Sequence, residues 1–231
     1  MAGAMDPRRV AYLRALDIDV WERRDLAPAA GVAATVADGG AQPGWAELER
    51  AVKNCTLCPL HKTRTQGVFG VGNRNAQWMV IGEAPGADED RQGEPFVGRA
   101  GQLLNSMLKA IGLQREQVFI ANILKSRPPN NRDPKPEEVQ ACIPYLFRQI
   151  ELVNPKLILC VGRIAAQTLL ETDTPIGKLR GQLHRIAGNR PMVVTYHPAY
   201  LLRSPGEKRK SWADLLLALR TFEQVAGGAS T

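Results

Sequence analysis

Four side chains stand where their chemistry could be used. Glu83 lies in Gly82-Glu83-Ala84-Pro85-Gly86, and Phe96 in a polar stretch rich in Gly and Pro. Asn122 leads into Ile123-Leu124-Lys125-Ser126-Arg127-Pro128-Pro129, and His197 precedes Pro198, which fixes its turn. A carboxylate and an imidazole can move protons or stabilise charge. A carboxamide offers an acceptor and a donor side by side. The aromatic ring is either an anchor for its loop or a platform for a planar ligand. His61 and His184 read as structural or surface residues, and Asp88, Glu89 and Asp90 as solvated loop charges. Cys55-Thr56-Leu57-Cys58 forms a CxxC pair in a chain with only four cysteines. The N-terminus MAGAMDPRRV places charge where an export signal needs an apolar segment. CxxC therefore points to a metal or redox site in a cytoplasmic protein, not to a disulfide staple.

The elements that must position these groups follow from the apolar pattern. Short apolar runs at 78–81, 118–120, 157–161 and 192–196 predict buried strands. Helical patterns cover about 99–112, 136–153, 162–171 and 208–226, with Pro136 just inside the start of the second. Buried strands alternating with helices predict an α/β fold, a three-layer α/β/α arrangement around a central, mainly parallel four-stranded sheet. Glu83, Asn122 and His197 each follow a strand directly. Open α/β sheets bind ligands at the carboxyl ends of their strands, so the three should meet on one rim. Gly70-Val71-Gly72 precedes its strand and no GxxxxGK[ST] occurs, which argues against nucleotide-cofactor chemistry.

With 231 residues, 44% of them hydrophobic and 23% charged, the chain has the composition of a globular α/β protein. No segment approaches the roughly 20 apolar residues of a membrane span. Residues 1–44 read as a short helix over 7–21 followed by a flexible Ala/Gly/Pro linker over 27–44, and residues 45–231 as the compact domain. The net charge is +7, and the stretch 178–210 alone carries as much, with eight basic residues against Glu207. Such a stretch suits a polyanion, or else forms a solvated basic surface.

Taken together, GEAPG at 82–86, the PFVG-x-AG run ending at Gly101, N-I-L-K-x-RPP followed by Asn131-Arg132, and HPAYLLR at 197–203 resemble the family 4 uracil-DNA glycosylases, the iron–sulfur branch of that superfamily. The resemblance covers about residues 45–225. It implies a monofunctional hydrolase of base excision repair that flips uracil out of single- or double-stranded DNA and breaks its N-glycosidic bond. It also implies a monomer with no membrane partner. Phe96 would stack on uracil and Asn122 would read its edge, in a site that also includes Gly82, Ala84 and Gly86. His197 would stabilise the departing uracil at O2, helped by backbone N–H groups of the 82–86 turn. Glu83 would position or activate water, since Ala84 stands where relatives with a strong general base carry Asp. Gly86 stands where stricter relatives place an aromatic. Leu201, with Leu202 as the second choice, would wedge into the DNA minor groove and Arg203 would hold phosphate. A non-catalytic iron–sulfur DNA-binding module associated with replication is the alternative.

The same resemblance implies a structural [4Fe-4S] cluster held by Cys55, Cys58 and Cys142. Its fourth ligand is expected at the position occupied here by Ser126. Ser126, Cys160 or a water would have to complete the set, and a serine oxygen is a poor substitute for thiolate. Zinc is the alternative metal.

Overall fold

A strand with no polar side must be covered on both faces, and that requirement sets the architecture. A computed structural model describes residues 42–186 and 188–227, so the helix expected over 7–21, and the linker as far as 41, lie outside the described residues. In it β2 (Trp78–Gly82) and β4 (Leu157–Val161) are buried at every position. With β1 (Val71–Gly72), β3 (Phe119–Asn122), β5 (Leu183–Ile186) and β6 (Arg190–Thr195) they form a six-stranded sheet of order β1-β3-β2-β4-β6-β5. The four inner strands are parallel and are the four expected ones. The expectation of four strands is corrected by the antiparallel edges β1 and β5. Neither carries an apolar run: β1 has two residues, and three of the four residues of β5 are not buried.

The helices are α1 (Trp45–Lys53), α2 (Ala87–Gln92), α3 (Arg99–Ala110), α4 (Pro136–Val153), α5 (Arg163–Leu170), α6 (Ile176–Leu179), α7 (Pro198–Arg203) and α8 (Lys208–Gly227). Alternation along the strands divides the core. Trp78, Val80, Leu157, Leu159, Val161 and Val193 pack with α3 and α8. Met79, Ile81, Ile158, Cys160, Met192 and Val194, equally buried, point to the opposite face, where Trp45 of α1 lies against Phe119. Local signals set the ends of α4. Pro136 occupies its first turn, Glu138 accepts the Lys135 N–H at 2.9 Å, and left-handed Asn154 closes it. Gln42 and Pro43, read from sequence as the tail of a flexible linker, are hydrogen-bonded by Arg148 of α4.

From β2 the chain passes to β3 on one side and returns to β4 on the other. Strand order reverses there, and this opens a crevice at the carboxyl ends. The last strand of the crevice is anchored from below. Asp214 of α8, fully buried, accepts Thr195 Oγ1 at 2.9 Å and both Arg180 Nε (3.0 Å) and Nη2 (2.8 Å). Thr195 is the last residue of β6, two before His197. Burial raises the Asp214 carboxyl above its ordinary range against the pull of its partners.

Removing one member of a buried ion pair strands the other, at a cost of about 3–5 kcal/mol. Asp214→Ala should therefore lower the melting temperature by about 10 °C. An unchanged melting temperature would show that the Arg180 guanidinium finds water instead.

Candidate active site

Each strand-end segment contributes to one cavity of about 660 Å³, within the range of small-molecule sites. Glu83, Ala84 and Gly86 enter from the end of β2, Asn122 from β3, Gly162 and Arg163 from β4, and Tyr196 and His197 from β6. Phe96 lines it from the loop ahead of α3. Gly82 lies beneath them. A Cβ there would stand 2.5 Å from Asn122 Oδ1 and 2.6 Å from Phe96 Cζ, so the absence of a side chain lets the amide and the ring converge. Asn122 is 3% exposed, and its Oδ1 has no hydrogen-bond partner. Because an unpaired buried acceptor is costly, this oxygen is poised for a donor from a ligand.

Phe96 is held in a conformation that its residue type disfavours. Its φ is +55°, and a Cβ at Gly101 would overlap its carbonyl oxygen. Arg115 donates to Phe96 O at 3.2 Å and to Pro95 O at 2.6 Å. Glu89 accepts the amides of Val97 (3.0 Å) and Gly98 (3.2 Å) through one oxygen and that of Gly86 (3.1 Å) through the other. One carboxylate thus clamps the 82–86 turn to the aromatic loop. The Gly86 N–H, expected to help stabilise an oxyanion, is already committed to Glu89.

Glu89 and Asp90 correct the reading of three solvated loop charges. Asp90 is 4% exposed and accepts Thr65 N–H at 2.9 Å, whereas Asp88 remains solvent-facing and pairs with Arg91. The sequence signal was available in part, because Gly86-Ala87-Asp88-Glu89 has an acidic residue three positions after a helix cap, and α2 begins there.

The two titratable groups are driven apart. Burial raises Glu83 to about 7, with nearby Asp133 adding repulsion and Arg163 opposing it. Arg163 and Asp133 pair at 2.6 Å on the cavity wall. Burial lowers His197 to about 4, helped by Arg203. Its Nδ1 accepts the Ala199 N–H at 3.1 Å, so in the neutral ring the proton resides on Nε2. The ring stacks near Phe96, with centroids 5.6 Å apart and planes 28° apart. A base poised near neutrality, a neutral donor, an orphan amide oxygen and an aromatic face therefore share one space.

Arg203 also lines the cavity. Leu201 does not reach it and is no wedge: at 1% exposure it is locked in the core formed by α3, α7 and α8. Tyr200 and Leu202 are the large hydrophobic side chains that α7 gives to solvent. The basic stretch is likewise divided. Arg180 is tied to Asp214 and Lys210 to Glu207. Arg185 and Arg190 lie where β5 meets the start of β6, at the end of the sheet opposite the cavity.

Cys58 and Cys142 are neighbouring thiols, and their interaction pulls Cys58 down and pushes Cys142 up. Cys55 lies beside Tyr145, whose hydroxyl is pushed up mainly by burial and further by Cys55. Arg64 links Cys55 O (2.9 Å) to Ser126 Oγ (2.7 Å), so Ser126 belongs to this corner. Cys160 does not, since burial alone pushes its thiol up from within β4. No group of three or more His, Cys, Asp or Glu residues among the described ones stands ready to hold a metal. The Ser126 hydroxyl, at the position expected for the fourth ligand, is engaged by the Arg64 guanidinium.

Glu89→Ala would leave three amides without their acceptor. We expect a stability loss of about 2 kcal/mol in urea unfolding and faster amide exchange at Val97 and Gly98. Unchanged exchange at those two amides would show that the carboxylate is no clamp.

Comparison with known proteins identifies the family. The profile of the Uracil DNA glycosylase superfamily matches residues 69–217. The type-4 uracil-DNA glycosylase of Archaeoglobus fulgidus is 49% identical over 175 residues, which span 73% of this chain and 88% of that protein. That of Pyrobaculum aerophilum is 45% identical over 74% of this chain and 91% of its own. That of Thermotoga maritima is 46% identical over 68% and 82%. On these matches the chain belongs to the type-4 branch of the uracil DNA glycosylase superfamily.

Proposed function

We propose that the protein is a monofunctional uracil-DNA glycosylase, acting as a cytoplasmic monomer on uracil extruded from single- or double-stranded DNA. The observation that carries this reading is the unpartnered, buried Oδ1 of Asn122 beside the Phe96 ring. Uracil offers N3–H to that acceptor and O4 to the amide NH2, with its face on Phe96. Cytosine presents an acceptor at N3 and a donor at C4, leaving two like pairs opposed, each costing about 1–3 kcal/mol. Beside Gly86 the cavity wall is the carboxylate of Glu89 and not an aromatic ring.

The glycosidic bond lengthens ahead of water attack, so negative charge grows on uracil and positive charge on the sugar. His197 Nε2–H donates to uracil O2. Being neutral, the ring makes a hydrogen bond that strengthens as charge builds, with no proton transfer needed. Ionised Glu83 holds the water and faces the cationic sugar, then takes the water's proton as the C–O bond forms. Arg203, Lys208 and Arg209, all exposed near α7, supply phosphate contacts, and Leu202 replaces Leu201 as the proposed wedge.

We further propose that Cys55, Cys58 and Cys142 hold an iron–sulfur cluster with Ser126 at its open corner. Bound there, a cluster would join the CxxC segment to α4 as a structural tie, and no step above passes through it.

The test is uracil release from a synthetic oligonucleotide. The base form of Glu83 exists above its pKa, so kcat/KM should climb with pH through about 7 and then level off. His197, held near 4, adds no limb in that range. Asp133→Asn removes a repulsion and should move the limb to lower pH. Glu83→Gln and His197→Ala should each lose at least about a hundredfold. Wild-type protein that releases no uracil at any concentration, or a rate that falls across pH 6–8, would contradict the assignment.

For the cysteine corner, Ser126→Cys should raise the iron retained per chain and slow bleaching of the brown protein in air. Equal iron content and bleaching in both proteins would remove Ser126 from the site.

A further inference from the structure

The short helix α7 separates two spaces. Ala199, Tyr200 and Arg203 face the catalytic cavity, whereas Leu201, about 100° per residue round the helix, faces the other way. Behind it lies an apolar groove of about 160 Å³ between α3 and α8, whose lining includes Leu103, Met107, Leu201, Lys208, Trp212 and Leu215. The two spaces are close neighbours: Ala100 of α3 lines the cavity and Leu103, nearly one turn later, lines the groove.

Three observations say what the groove is built to hold. Trp212 leaves 42% of its surface in solvent, so its ring is open to a ligand at the edge of the groove. Ser211 also lines the groove, is 2% exposed, and its Oγ is buried without a hydrogen-bond partner. A hydroxyl left unpaired in that position is completed by a ligand with a polar edge. Lys208 lines the groove and Arg209 follows it, and neither forms an ion pair among the described residues. An aromatic face, one hydroxyl and an available ammonium suit a planar ring attached to a phosphate. The volume agrees, since an apolar cavity of about 150 Å³ accepts one benzene-sized ring.

We propose that this groove is a second base-binding subsite. It takes an unpaired nucleobase of the DNA substrate, stacked on Trp212, with the Ser211 hydroxyl on its polar edge and Lys208 on a flanking phosphate. A hydroxyl both donates and accepts, so the subsite grips any base without reading sequence. α7 is about 10 Å across, which puts the gripped base within a few nucleotides of the uracil. Since paired bases are not available for stacking on protein, the subsite favours single-stranded over duplex substrate.

The inference rests on the glycosylase reading, and the test separates the two. Uracil-containing single strands carrying one abasic spacer at successive positions on either side of the uracil are assayed with the full-length protein. One position, two to four nucleotides away, should raise KM about tenfold. Trp212→Ala should raise KM on the unbroken strand by a similar factor and become indifferent to that spacer, while Trp212→Phe restores most of the affinity. A flat spacer scan with normal uracil release overturns the subsite alone, as does Trp212→Ala that still senses the spacer. No uracil release by the wild-type protein overturns both readings.

Discussion

The site depends on a missing side chain. Phe96 and Asn122 come from different segments and meet over Gly82, where any Cβ would press against both. Everything that gives the cavity a recognising surface follows from that contact. The ring supplies a face, the amide supplies an edge, and neither can retreat. Asn122 is fixed by its place in β3. Phe96 is fixed in a left-handed conformation by Arg115, Glu89 and the close approach of Gly101. Strain of this kind persists only where the surroundings over-determine it, and here three separate contacts do so.

Recognition alone leaves the bond intact, and the electrostatics of the same cavity supply the rest. Low polarity pushes a carboxylic acid and an imidazole in opposite senses, both toward their neutral forms. Glu83 is brought to the pH at which a base is most useful, while His197 is kept neutral, with its proton on the nitrogen that Ala199 leaves open. Separation of two titratable groups by environment is how one pocket assigns two roles. The surrounding charges refine the division: Asp133 and Arg163 act on Glu83 with opposite sign, and their mutual ion pair keeps that balance local.

Much of this was legible in the chain. Four apolar runs located the parallel centre of the sheet, and the rule that ligands collect at strand ends brought Glu83, Asn122 and His197 to one rim before any coordinates. What was hidden depends on tertiary partners. Glu89 and Asp90 read as solvated because their acceptors' partners, the amides of Gly86, Val97, Gly98 and Thr65, are backbone groups that no side-chain pattern advertises. Leu201 and Leu202 are adjacent leucines, and only the packing of α7 on α3 and α8 decides which is buried. The charge concentration over 178–210 dissolved for a similar reason. Arg180 is consumed by a buried aspartate, and a hairpin carries Arg185 and Arg190 to the far end of the sheet. Edge strands β1 and β5 lack the apolar run that marks a buried strand.

The central claim is that one cavity presents a stacking face, an edge-reading amide and a neutral imidazole donor to the same pyrimidine. A crystal structure of the protein soaked with free uracil tests it most directly. The account predicts uracil stacked on Phe96, with N3–H on Asn122 Oδ1, O4 on the amide nitrogen and O2 on His197 Nε2. Uracil bound elsewhere, or bound there with Asn122 Oδ1 still unpaired, would contradict it.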